Sequence, residues 1–301
     1  MLASNPLPAL WHFACEWWFG YEIVLSLFIV GALIEARRPV QRLQSRAAIR
    51  LNLAYSAIST ALGQAGRPLT AAASVWIVNL LGGGLIVLPA HGWGVLVSVL
   101  TLMLTIDLLE YLFHRLQHAW PLLWRMHSLH HSAESFNVTV TTRHYWFEAL
   151  LKGFLLFPLV GVLFRVDPSI AGIATLVFLP VNFFAHMNLR IDLGRFVTWV
   201  NNPQYHRLHH SRRAEHFNKN FTQMLPLWDR LFGTMWTPAP HEWPPTGLDD
   251  DAEPASVLVA LYWPLRRRTA GDPAVAAPRG HSRRSGLRDQ ATDRAGPTAR
   301  C

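Results

Sequence analysis

The apolar positions of this chain fall into long, nearly uninterrupted runs, separated by polar segments that carry most of the charge. The first run, "FGYEIVLSLFIVGALIEA" at residues 19–36, is long enough for a helix to cross a hydrocarbon core of about 30 Å, and Trp17 and Trp18 precede it where an interfacial aromatic belt would sit. It ends in "RRPVQRLQSRAAIR", whose Arg37, Arg38, Arg42, Arg46 and Arg50 place the following loop on the cytoplasmic side by the positive-inside rule. Residues 51–66 are too short and too polar to span, and are expected to lie along the interface. Two hairpins follow, 70–89 with 95–113 through "AHGWG", and 149–164 with 169–186 through Asp167 and Pro168. "GGGL" at 82–85 falls inside the second run and is expected to serve close helix packing or a kink. The pattern predicts an all-α, multi-pass membrane protein of four to five segments in hairpins, with a cytoplasmic helical cap. Counting sides along these runs puts His114 to His144, His186 and His206 to His216 on the same face as the basic loop.

Composition agrees: 51% of residues are hydrophobic and only 15% charged. The net charge of +8 is misleading as a nucleic-acid signal, because Pro264 to Cys301 holds nine Arg against three Asp and so accounts for +6 of it. That tail has no apolar periodicity and reads as disordered. The two cysteines, Cys15 and Cys301, offer neither a disulfide framework nor a CxxC site, so any metal must be held by other ligands. The N-terminus lacks the basic start and cleavage site of a secretory signal, so the first run is expected to be a retained anchor.

Those ligands are at hand in three histidine boxes: "HRLQH" (His114, His118), "HSLHH" (His127, His130, His131) and "HRLHH" (His206, His209, His210). On a helix, positions i, i+3 and i+4 are neighbours, so each box can aim two or three imidazoles at one point. The first box continues the 95–113 run directly, which places it just beyond the membrane. Eight histidines exceed the four ligands of a structural zinc site, so at least two ions are implied, and no HExxH helix marks a zinc peptidase. Asp107 and Glu110 share the face of His114, where a ligand imidazole N–H could donate to them. Asn182, Asn188, Asn218 and Asn220 are read as packing or capping residues near the site. His12, His91, His241 and His281 stand alone and are read as ordinary hydrogen-bonded or interfacial residues.

The run "DLLEYLFHRLQHAWPLLWRMHSLHHSAESFN", followed by "NPQYHRLHHSRRAEHFNKNFTQMLPLWDRLFGT", resembles the fatty acid hydroxylase superfamily, or sterol desaturase family, over about residues 100–236. The resemblance implies an integral-membrane oxidoreductase with two iron ions held by the eight box histidines, dioxygen as co-substrate, and catalysis through those metals. It adds His186 of "NFFAHMN" as a ligand, and His144 of "RHYWFE", where Tyr145 replaces the usual proline, as a ligand or near neighbour. It also implies a hydrophobic lipid substrate, sterol, fatty acyl or related, and an external electron donor such as a ferredoxin or small cytochrome with its reductase. Hydroxylation and desaturation stay open at this level. A His-rich metal transporter or sensor without redox catalysis is the alternative, though transport needs ligands at mid-membrane and these boxes fall at or beyond span ends. The organisation expected is a membrane anchor with basic interfacial loop (1–92), a catalytic domain (93–240), a C-terminal extension (241–263) and the arginine-rich tail (264–301). Only Lys152 and Lys219 stand against many arginines, which points to a bacterial inner membrane.

Overall fold

The computed structural model describes residues 7–248 and 253–266; the expected disordered tail lies outside the described residues from position 267 on. The chain is helical: α1 (Leu7–Glu35), α2 (Arg46–Leu80), α3 (Gly94–Ala119), α4 (Pro121–His131), α5 (Trp146–Leu163), α6 (Pro168–Ala185) and α7 (Pro203–His209), with short α8 (Leu227–Leu231) and α9 (Val257–Leu261). Helix starts follow capping chemistry. Pro121, Pro168 and Pro203 stand in the first turn, where a missing N–H costs nothing, while Asp167 and Asn202 accept from the free backbone N–H groups of α6 and α7. By length and composition, four helices among the described residues can cross a membrane: α1, α3, α5 and α6. This is an integral membrane protein.

α2 corrects the element bounds expected from the sequence. Residues 51–66 are the first part of a 35-residue helix that continues through Pro68. The expected 70–89 span is the second part of that helix, and it ends at Leu80. Asn52, Ser56, Thr60, Gln64 and Arg67 keep α2 more polar than the four spans, and its apolar second half reads as a separate element only if the helical register is not followed back. Nor does "GGGL" lie within a span. It forms the turn after α2, where Gly82 and Gly84 take φ of 65° and 75°, and the Gly84 N–H donates to the carbonyls of Gly161 and Val162 at 3.0 Å.

The far ends of α2 and α5 are tied by a two-stranded parallel pairing of β1 (Ile86–Val87) with β2 (Phe164–Arg165). The opposite ends meet at the histidines. Glu35, last residue of α1, accepts the backbone N–H of Val138 and of Asn188, both at 2.7 Å, joining α1 to the segments after α4 and α6. The helix ends that carry histidines are fixed against one another. The C-terminal segment closes over α4: Trp263 is buried against Tyr55 and Leu129, and its Nε1 donates to Ser128 Oγ at 2.9 Å.

Candidate metal centre

Nine histidines form two groups whose ring nitrogens lie within 4.8 Å of one another. His114, His118, His127, His131 and His209 make the first, and His130, His186, His206 and His210 the second. In each the Nε2 atoms turn inward. His131 Nε2 lies 3.1 Å from both His118 Nε2 and His209 Nε2, and His206 Nε2 lies 3.0 Å from His186 Nε2 and 3.2 Å from His210 Nε2. The groups abut, with the His131 and His210 rings stacked at 4.4 Å.

The boxes do not each serve one point. Within "HSLHH", His127 and His131 join the first group and His130 the second; within "HRLHH", His206 and His210 join the second and His209 the first. The reason is angular. Residues i and i+4 lie about 40° apart around a helix, whereas i+3 is turned about 100° from i+4, so the pair closes on one centre and the third imidazole reaches the neighbouring one. His114 and His118, also i and i+4, stay together in the first group.

Outer hydrogen bonds fix the tautomers. His114 Nδ1 donates to Phe221 O at 2.7 Å, His209 Nδ1 to Lys219 O at 2.7 Å and His186 Nδ1 to Asn182 O at 2.8 Å. A carbonyl can only accept, so these imidazoles present bare lone pairs at Nε2. The His127 ring turns its Nδ1 to Glu148 Oε2 at 3.4 Å. Lone pairs converging at 3.0–3.2 Å repel unless a cation sits among them, and such separations match the edges of a polyhedron with metal–nitrogen bonds of about 2.0–2.2 Å. His114 Nε2 and His127 Nε2 are buried with no protein partner, as atoms facing an ion would be. The residues therefore fit a pair of metal ions.

His144 joins neither of these groups, but with His127 and Glu148 it forms a third cluster of possible ligand atoms. It is partly exposed, stacks on His130 at 4.0 Å and places Nδ1 3.3 Å from Glu148 Oε2. Asp107 and Glu110 do not receive imidazole N–H bonds either. Asp107 accepts from the backbone N–H of Met224 and Leu225, both at 3.0 Å, and from Trp228 Nε1 at 3.1 Å, while Glu110 pairs with Lys152 at 2.6 Å and Gln223 at 3.0 Å. Both hold segment 221–228, which Asp229 organises from within through the N–H groups of Phe221 and Thr222 at 2.9 Å. Asp107 thus acts on His114 through a peptide segment, because its side chain leaves α3 toward that segment and not toward the ring. Glu148 is the carboxylate not singled out from the sequence, although it closes the "RHYWFE" element and stands at i+4 from His144. Asn218 hydrogen-bonds His118, and the Asn220 side chain binds Tyr205 O and Trp236 O at 3.1 Å. His216 pairs with Ser211 and Glu242, and His12 with Glu16, away from the groups.

Burial sets the charge state. It holds His186 and His209 down at about 3 and lowers His130, His131, His206 and His210 well below the usual imidazole value, so all are neutral and able to ligate at pH 7. An unfolded chain takes up these protons near about 6.5, whereas the folded metal-free chain does not. Its stability is therefore full above about pH 7 and falls as pH drops toward 3. Thermal unfolding of metal-stripped protein between pH 7.5 and about 5 should show a declining Tm, and a flat profile would contradict the buried neutral imidazoles.

Fold and site together define a helical membrane protein with two adjoining histidine clusters able to hold a pair of metal ions. Residues 99–234 match the model of the fatty acid hydroxylase family. It is 31% identical over 131 residues to an alkylglycerol monooxygenase of Xenopus tropicalis, covering 44% of this chain and 29% of that protein. It is 33% identical over 131 residues to the same-named protein of Danio rerio, with the same shares, 44% and 29%. An ornithine lipid hydroxylase of Rhizobium tropici is 32% identical over 131 residues, covering 42% of this chain and 38% of that one. The chain therefore spans well under half the length of these relatives. No solved structure matches it.

Proposed function

We propose that this protein is a membrane-bound, oxygen-dependent lipid hydroxylase or desaturase working through a di-iron centre. The observation that carries the reading is the convergence of nine imidazoles, eight of them buried, in groups of five and four, beside helices able to cross a bilayer. Iron, when bound, would supply dioxygen activation and removal of hydrogen from an unactivated C–H bond. His114, His118, His127, His131 and His209 would hold one ion, and His130, His186, His206 and His210 the other. The carbonyls of Asn182, Lys219 and Phe221 hold three of these rings in the ligating tautomer, and burial keeps bulk water out. His144 serves behind the ligands, through Glu148 and its stack on His130.

In hydroxylation, one oxygen atom enters the C–H bond and the other leaves as water, which takes two electrons and two protons per turnover. The electrons come from a separate redox protein, a ferredoxin or small cytochrome with its reductase. The arginines of the α1–α2 loop support a cytoplasmic orientation in a bacterial inner membrane, with the catalytic domain over residues 93–240. Lipid profiling by mass spectrometry of cells with and without the protein tests the reading. An oxygen-dependent gain of one oxygen atom, or loss of two hydrogens, in one lipid class is expected. Exchangeable zinc or nickel with no dioxygen consumption would overturn it.

A further inference from the structure

A stripe of polar side chains runs along α2 from the histidine end to a second polar cluster. On α2, Asn52, Ser56, Thr60 and Gln64 recur at every fourth position and so follow one face. Where this stripe meets α1, Trp17 Nε1 donates to Thr60 Oγ1 at 3.2 Å and Gln64 Nε2 donates to Glu16 Oε2 at 2.8 Å. Arg67 Nη1 donates in turn to Gln64 Oε1 at 2.9 Å. A guanidinium, an amide and a carboxylate thus form a continuous chain between α1 and α2.

This chain stands at the waist of a groove between α1, α2 and α5. Its two lobes, of about 580 and 590 Å³, share Glu16, Gln64, Arg67, Thr70 and Phe157, and each is within the roughly 300–1,000 Å³ of ligand pockets. One lobe adds His12 and Ser74 and suits a polar head. The other adds Ile23 and the open floor of Gly20 and Gly63, and reaches Ala149 and Lys152, the neighbourhood of Glu148. Lys152 is already paired with Glu110, and Glu16 also faces His12 at 3.5 Å. What the waist offers an incoming molecule is one cation and one anion, held a fixed distance apart by Gln64.

We propose that this groove binds a single-chain zwitterionic lipid, its acidic group at Arg67, its ammonium at Glu16 and its hydrocarbon chain in the lobe that leads to Lys152 and Ala149. As the entry route of the substrate it rests on the oxygenase reading; as a binding site it does not. The test is native mass spectrometry of the full-length protein in neutral detergent, titrated with lysophosphatidylethanolamine, lysophosphatidic acid and monoolein. The zwitterion should bind about tenfold tighter than lysophosphatidic acid, the ratio one charge-assisted hydrogen bond supplies, and tighter still than monoolein, which offers neither charge. Arg67→Gln should lower both charged lipids toward monoolein, and Arg67→Lys keep part of the difference. Glu16→Gln should bring the zwitterion down to the level of lysophosphatidic acid, with metal content unchanged in all three variants. Equal binding of monoolein and the zwitterion, or an unaltered affinity in Arg67→Gln, would overturn the proposal. Selective binding without any dioxygen uptake would support the groove and count against the oxygenase.

Discussion

Replacing His206 and His210 together by alanine should leave a chain that binds one metal ion per molecule in place of two, and that has no oxygen-dependent turnover. These imidazoles are half of the four-membered group, and His130 and His186 alone cannot saturate an ion that prefers at least four ligands. The five-membered group keeps all its members, because His209, although next in sequence to His210, faces the other centre. The companion change, His127→Ala with His131→Ala, should empty the first group and spare the second. Elemental analysis of detergent-purified protein reads both, with the thermal transition of the metal-stripped forms as a control for folding. Loss of both ions, or of neither, from the His206/His210 variant would refute the division of each box between two centres.

That division shows what the sequence could convey. The boxes announce themselves because three imidazoles within five residues have no packing rationale, and "HRLQH" continues an apolar run, so both the chemistry and its place at the membrane edge are legible. Which imidazole serves which ion depends on the rotation of α4 and α7 about their own axes, which tertiary packing sets. Asp107 was expected to reach a ring because it shares a helical face with His114. The structure gives it instead to two peptide N–H groups and Trp228, partners more than a hundred residues away that no local periodicity reveals. The continuity of α2 is hidden for a related reason. Its first half is polar because Asn52 and Tyr55 are buried against the segment after α4, where Asn52 Nδ2 donates to Thr139 Oγ1 at 2.9 Å and Tyr55 OH donates to His144 O at 3.0 Å.

Glu148 carries the second large effect. This buried carboxylate gathers four contacts: Gln117 Nε2 donates to its Oε2 at 2.6 Å, the Nδ1 atoms of His127 and His144 lie 3.4 and 3.3 Å from the same oxygen, and Tyr145 N–H donates to Oε1 at 3.3 Å. A carboxylate can accept all four, whereas an amide must turn either an acceptor or two donors toward the rings. Glu148→Gln should therefore free the His127 ring to rotate or change tautomer, lowering metal affinity or activity by about 10–100-fold, the usual consequence of losing the partner behind a ligating imidazole. The loss should appear as preferential depletion of one of the two ions, since His127 belongs to the five-membered group and not to the four-membered one. His144→Ala removes only a neighbour of that carboxylate and should cost less. Competition with a graded series of chelators separates the two variants. If Glu148→Gln retained both ions as firmly as the parent, the His127 ring would be held by its packing against His114, His118 and His131, and the carboxylate would serve only to cap α5 at Tyr145.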